Sequence, residues 1–109
     1  MKFNSQICTT REQSERLLAL GLKKETADMC WTKMAAIRGT FYVPELAPIN
    51  MVSWRHTPAW SLHRLIEIVA HTQYPYYVIS KELPIYDALC ERIEWLIKEG
   101  YFNKENLEE

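Results

Sequence analysis

The chain has few glycines and no long apolar run, and these shortages exclude whole classes of protein. With three glycines in 109 residues, it contains no glycine-rich loop of the kind that cradles phosphates, and it has no H-E-x-x-H motif. No apolar stretch approaches the length that a membrane-spanning helix needs, and the N-terminus lacks the apolar core of a signal peptide. We therefore expect a protein that does not enter the membrane.

Cysteine is also scarce, and its spacing matches no metal or redox motif. Cys8, Cys30 and Cys90 are odd in number and include no C-x-x-C pair, which is typical of free thiols in a reducing compartment. We expect a cytoplasmic location. The net charge of −1 gives no overall attraction to nucleic acid or to anionic membranes.

What is present is the composition of an ordinary globular domain. Hydrophobic residues make up 48% of the chain and charged residues 25%, which is typical of soluble proteins, and the length predicts one domain over residues 1–109. Charge is unevenly distributed. Residues 1–40 carry seven bases and four acids, and residues 81–109 carry four bases and eight acids. These thirds can attract each other within one fold or between two copies.

Two helices have clear local signals. Thr9 and Thr10, each followed three residues later by Glu or Gln, predict a capping box and a helix over residues 10–20 that stops at Gly21. A second helix begins at Pro84 and ends before Gly100, because its apolar residues fall within one arc and its charges lie opposite.

The stretch TPAWSLHRLIEIV, residues 57–69, predicts a central helix. Thr57 is a good N-cap, and Pro58 suits the first helical position. Leu62, Leu65, Ile66 and Val69 form one stripe, and a second ridge starts at Trp60. We expect this helix to be covered on both sides and to end near His71.

Strands are predicted between the helices. Residues 29–34 and 40–44 favour a β-hairpin, with a helix over residues 26–37 as the alternative. Residues 3–8 are expected to be a short strand or an ordered arm, and further short strands are expected within residues 49–54 and 76–79. The predicted fold class is α+β, with three helices packed on a small, mostly antiparallel sheet.

Three segments carry a resemblance in the same order along the chain: QICTTREQSERLLALGL followed by TADM, then PAWSLHRLIEI, then DALCERIEWL. Together they resemble a group of small uncharacterised proteins from gut Bacteroidetes and from their prophages and mobile elements. The resemblance implies a compact α+β domain of phage or mobile-element origin. It carries over no catalytic residue.

The polar residues give little support for an enzyme. His63, Glu67 and His71 recur at i, i+4 and i+8 on the central helix, but a straight helix presents only two such neighbours to one ion. A metal-dependent enzyme is therefore the least favoured hypothesis. Cys8 is expected to be the more exposed thiol and Cys90 a core residue. We predict no catalytic residue, metal site or cofactor.

The main functional hypothesis is a protein interface, for self-association or for another protein. Aromatic residues and arginine are enriched at interface centres, and they are dense on both sides of the central helix. The predicted partner-binding residues are Trp54, Arg55, Trp60, Arg64, Tyr74, Tyr76 and Tyr77. The competing interpretation is that these rings simply cover the central helix.

The alternative hypothesis is weak nucleic-acid binding through basic residues in the first third of the chain, near Trp31. The residues of this predicted patch are Arg11, Arg16, Lys23, Lys24, Lys33 and Arg38. The acidic last third and a pI near 6.3 argue against this function.

Overall fold

The computed structural model of the protein describes residues 6–72 and 83–108. In these ranges the elements are α1 (Arg11–Ala19), β1 (Met29–Ala36), β2 (Gly39–Leu46), β3 (His56–Ala59), α2 (Leu62–Ala70) and α3 (Ile85–Lys98). The strands form one antiparallel sheet. The predicted α+β class, with three helices and a small antiparallel sheet, is confirmed. None of the helices described is long and apolar enough to cross a membrane.

Helix α1 begins and ends where its sequence predicts. The Thr10 side chain accepts from the Gln13 backbone N–H, and the Gln13 side chain accepts from the Thr10 backbone N–H, so the capping box is complete. Gly21 follows the helix with a φ of 97°, a conformation that favours glycine. Leu22 is then buried against the core.

The predicted hairpin is confirmed, and it is longer than expected. β1 and β2 pair from Met29 opposite Leu46 to Ala36 opposite Gly39, and residues 37 and 38 form the turn. The alternative helix over residues 26–37 is therefore wrong. The β-branched and aromatic residues of β2 fit a pleated, half-buried surface, and this favours the strand.

The start of α2 differs from the prediction. Residues 56–59 pair with β1 as strand β3, so Thr57 and Pro58 do not begin the helix. Ser61 is the N-cap, and its Oγ accepts from the Arg64 backbone N–H at 3.2 Å. Asp28 fixes this position because its carboxylate accepts from the Ser61 backbone N–H at 2.9 Å. The end of the helix at His71 agrees with the prediction.

Two further strand predictions have different outcomes. Residues 49–54 contain no strand, because the chain reaches the sheet only at His56, where β3 begins. The strand predicted at residues 76–79 lies outside the described residues.

The core lies among the three helices and the segment that leads into α2. Trp60 is fully buried there, and its indole N–H donates to the Thr26 hydroxyl at 2.9 Å. The buried residues of the core come mainly from α2, α3 and the end of α1. They are Leu17, Leu22, Trp60, Leu65, Ile68, Val69, Tyr86, Leu89, Cys90, Ile93, Leu96 and Phe102.

The sheet has the order β2-β1-β3, and its two outer edges differ. Next to β3, the N-terminal arm (residues 6–10) bonds to the end of the strand: the Thr9 N–H donates to the Trp60 carbonyl at 2.9 Å, and the Trp60 N–H donates to the Thr9 hydroxyl at 3.1 Å. No strand of the described residues pairs with the outer edge of β2.

Candidate functional site

Exposed apolar side chains are concentrated on the hairpin and the loop that follows it. Nine large hydrophobic residues are exposed in the described part of the chain, and six of them fall within residues 37–54. The six are Ile37, Phe41, Leu46, Ile49, Val52 and Trp54. Exposed apolar residues that are concentrated in one segment are typical of interaction surfaces in soluble proteins.

The hairpin projects beyond the rest of the sheet. β3 pairs only with residues 29–32 of β1, so the last part of β1 extends past it. Trp54, which is 75% exposed, lies beside this projecting part. Together with Lys33, Met34, Ala35, Thr40 and Arg55, it lines an open hollow of about 360 Å³. The tip of the sheet is therefore apolar and basic.

The backbone of β2 faces outward at alternate residues. The Lys33 N–H donates to the Arg55 carbonyl at 2.8 Å, so odd-numbered residues of β1 bond toward β3 and even-numbered ones toward β2. Given the register, residues 39, 41, 43 and 45 of β2 bond to β1. The backbone groups of residues 40, 42, 44 and 46 then point away from the sheet. Pro44 occupies an outward position, where a missing N–H breaks no ladder bond.

The structure separates the predicted partner-binding residues. Trp54 and Arg55 are exposed side by side at the tip of the sheet. Trp60 is a core residue. A partner cannot contact it, so it does not belong to an interface. Arg64 is half-buried on α2, with its Nε 3.5 Å from the Glu67 carboxylate. Tyr74, Tyr76 and Tyr77 lie outside the described residues.

The predicted basic patch is divided among several elements. The Arg11 guanidinium lies 3.6 Å from the centre of the Tyr42 ring, and Tyr42 is opposite Lys33 in the register, so these two bases share one face of the sheet. Arg16 pairs instead with Glu94 of α3. Lys23 and Lys24 stand together at the start of a short turn after α1, and Arg38 is in the hairpin turn.

Ion pairing affects the titration of Glu94. Hydrogen bonds from Lys98 and from Arg16 hold the pKa of the Glu94 carboxyl below its ordinary value of 4.5. The lowered pKa means that this pairing stabilises the fold at neutral pH, and that the contribution is lost as the pH falls below 4.5 toward the folded-state pKa. The pair ties α1 to α3 and contributes nothing to the exposed tip.

The thiols lack the features of catalytic nucleophiles. Cys8 was expected to be the more exposed one, but it is fully buried. Burial, together with Asp28 nearby, raises the pKa of its thiol from 9.0 to about 11. Burial likewise raises the pKa of the Cys90 thiol to about 12. Reactive cysteines have lowered pKa values, so these two are structural.

The structure brings together a set of potential metal ligands that the sequence patterns missed. His63, Glu67 and His71 do not converge in the part of the chain described. Cys30, Glu45 and His56 do, with one ligand atom from each residue lying within 4.8 Å of the others. Cys30 and Glu45 are directly opposite in the hairpin register. A sequence prediction that placed the hairpin turn correctly would have paired these two residues. His56 joins them only through β3.

Comparison with known proteins identifies no family. No protein-family model matches the chain, and neither a curated protein nor a solved structure matches it. The resemblance to Bacteroidetes and prophage proteins therefore stays a prediction.

Proposed function

We propose that this is a small protein-interaction module that binds by strand addition at the outer edge of β2, and that its partner is a second copy of the chain. The observation that carries the proposal is that no strand of the described residues pairs with the outer edge of β2, and this strand exposes two large apolar side chains, Phe41 and Leu46. An extended strand that adds to a sheet edge gains backbone hydrogen bonds and side-chain contacts together.

An antiparallel register centred on Phe41 lets two copies pair without involving Pro44. Thr40 and Tyr42 are the consecutive outward-facing residues of β2 that keep an N–H before Pro44. In an antiparallel pair centred on Phe41, Thr40 lies opposite Tyr42 of the partner subunit, and Tyr42 lies opposite Thr40 of the partner subunit. Each such pair exchanges two N–H···O bonds. Centring the pair on Tyr42 would also give four bonds, two between the Tyr42 residues and one in each Thr40–Pro44 pair, because Pro44 has no N–H.

The side chains agree with this register. Phe41, which is 49% exposed, would lie opposite Phe41 of the partner subunit at the two-fold axis. Such a position, between hydrogen-bonded pairs, brings the two side chains close together, and aromatic pairs there stabilise a sheet. An interface of this kind buries the same patch on both copies.

Charge is unevenly distributed over the fold, and the cysteines favour one cellular compartment. Between Asp28 and Glu67 the single acid is Glu45, so the sheet half is basic and the α3 half acidic. Three free, buried cysteines favour a reducing environment, and we propose the cytoplasm. A phage or mobile-element origin rests on the resemblance alone.

Light scattering across a range of concentrations tests the proposal. We expect a dimer that weakens by more than about tenfold in Phe41→Lys, because like charges directly opposite each other destabilise a strand pair. Thr40→Pro should weaken it similarly, since it removes an outward N–H from each copy and leaves the β1 ladder intact. Ile49→Lys is the matched control: it replaces an equally apolar, fully exposed residue outside the paired segment, and should leave the dimer intact.

The other possible occupants give different results. A monomer at every concentration, or a dimer that survives Phe41→Lys, would exclude self-pairing at β2. If the monomer binds single-stranded DNA with an affinity that falls steeply as salt rises, and Arg11→Ala with Lys33→Ala abolishes this binding, then the alternative nucleic-acid function replaces the proposal.

A further inference from the structure

We propose that Cys30, Glu45 and His56 form a binding site for one Zn²⁺ ion, independent of the β2 edge. Each strand of the sheet supplies one ligand: Cys30 from β1, Glu45 from β2 and His56 from β3. Their ligand atoms lie within 4.8 Å of one another. A thiolate, an imidazole and a carboxylate are the three ligand types that zinc takes in proteins.

The register explains why these side chains converge. Cys30 is opposite Glu45 in the β1–β2 pair, and Thr32 is opposite His56 in the β1–β3 pair. Cys30 and Thr32 are two residues apart in one strand, so all four side chains point to the same face of the sheet. Rigid strands therefore hold the ligands, and this is a more precise support than a loop.

The separation of the ligand atoms is close to what zinc requires. Bond lengths of about 2.3 Å to sulfur and about 2.0 to 2.2 Å to nitrogen and oxygen imply ligand separations of roughly 3.3 to 3.6 Å in a tetrahedral site. Glu45 is exposed and His56 is half-buried, so small side-chain rotations suffice to bring them in. The solvent side of the site is then open for water as the fourth ligand.

Thr32 links the ligands to one another. This residue is 2% exposed, and its hydroxyl lies 3.5 Å from Cys30 Sγ while donating a short hydrogen bond to Glu45 Oε1. Groups that hydrogen-bond to ligands fix their orientation, and removing them typically costs about 10-fold to 100-fold in metal affinity. Thr32 thus acts as a positioning residue.

Metal binding should release a hydrogen bond in the neighbouring loop. The Val52 backbone N–H donates to His56 Nδ1 at 3.0 Å, so the neutral imidazole carries its proton on Nε2. A metal at Nδ1 displaces the Val52 N–H directly. A metal at Nε2 requires a proton on Nδ1, which then cannot accept from Val52. In either case the Cys30 thiol proton passes to solvent as the thiolate binds.

Cobalt and zinc titrations of the chelator-treated protein test the site. We expect Co²⁺ to give a thiolate-to-metal charge-transfer band and Zn²⁺ to displace it, while the Val52 amide resonance shifts. Cys30→Ser should abolish the band, and Glu45→Gln and His56→Gln should weaken Zn²⁺ binding by more than about tenfold. Thr32→Val should weaken it by about 10-fold to 100-fold. Cys90→Ser and His63→Gln, a buried thiol and an exposed imidazole elsewhere in the fold, are the matched controls.

The outcomes separate clearly. Absence of the band in the wild-type protein would overturn the proposal, as would a band that persists in Cys30→Ser or disappears in a folded Cys90→Ser protein. Glu45→Gln keeps a side-chain oxygen for the Thr32 hydroxyl and lies on an exposed position, so it should fold even if the buried Cys30 variant does not. Equal Zn²⁺ affinity of this folded variant and the wild type would exclude Glu45 from the site.

Discussion

At the scale of single residues, two tryptophans that are close in sequence have opposite roles. Trp60 is fully buried and Trp54 is 75% exposed. The two tryptophans of the predicted interface therefore lie in different places, one in the core and one at the tip of the sheet. Composition alone cannot separate them, because the burial of an aromatic side chain depends on which elements pack around it.

Truncating each tryptophan measures this difference. Trp60→Ala should lower the free energy of unfolding by about 3 to 5 kcal/mol, as is typical when a large buried aromatic side chain is removed. Trp54→Ala should change it by no more than about 0.5 kcal/mol, the usual range for surface substitutions. Urea unfolding followed by circular dichroism gives both values. Equal losses would contradict the core assignment of Trp60.

Thiol reactivity is a second prediction at this scale. Cys8 and Cys90 have pKa values raised to about 11 and about 12, so at neutral pH they contain very little thiolate, which is the reactive form. We expect both to resist iodoacetamide in the folded protein and to react fully in denaturant, as measured by mass spectrometry of the peptides. Rapid labelling of native Cys90 would show that α3 opens readily.

At the scale of elements, the sequence signals that correctly predicted the helices and the hairpin involve residues that are close together in the sequence. The Thr10 capping box, the glycine after α1 and the apolar arc of α3 depend on residues within a few positions of one another. The start of α2 was mispredicted because two segments satisfy the same local rule. Thr57 with Pro58 and Ser61 with Leu62 are both acceptable starts, and pairing with β1 assigns the first segment to a strand.

The true start of α2 can be tested by removing its cap. Ser61→Ala should lower the free energy of unfolding by about 1 to 2 kcal/mol, because the helix loses its N-cap and Asp28 loses the hydroxyl that bonds to its carboxylate at 2.5 Å. Ser53→Ala, at an exposed loop position, is the control and should change stability by less than about 0.5 kcal/mol. A similar small loss for Ser61→Ala would mean that the hydroxyl adds little to this helix end.

The candidate sites likewise depend partly on residues that are close in sequence and partly on residues that are distant. The opposition of Cys30 and Glu45 depends only on the hairpin turn, so a correct hairpin prediction comes close to it. The addition of His56 needs β3, which joins residues more than 20 positions apart in the sequence. That β2 has only one neighbour among the described strands follows from the strand order, since the sequence of a strand does not show whether it has one neighbour or two.

At the scale of the whole molecule, the core residues and the exposed apolar residues belong to different elements of the fold. The core residues come mainly from α2, α3 and the end of α1, whereas most of the exposed apolar residues lie within residues 37–54. The residues of the proposed interface are therefore distinct from those that form the core. Substitutions at the hairpin tip should alter association without altering the fold of a single copy.

The concentration dependence of unfolding tests this separation. When association accompanies folding, mass action stabilises the native state, and the melting temperature rises with total protein concentration. We expect such a rise for the wild-type protein and for Ile49→Lys. The melting temperature of Phe41→Lys should be independent of concentration and should match the wild-type value extrapolated to dilute protein, because Phe41 is only half-buried in the single chain. A Phe41→Lys protein that instead melts far below that value would show that Phe41 supports the folded monomer, and the hairpin would then be part of the stabilising structure as well as a binding edge.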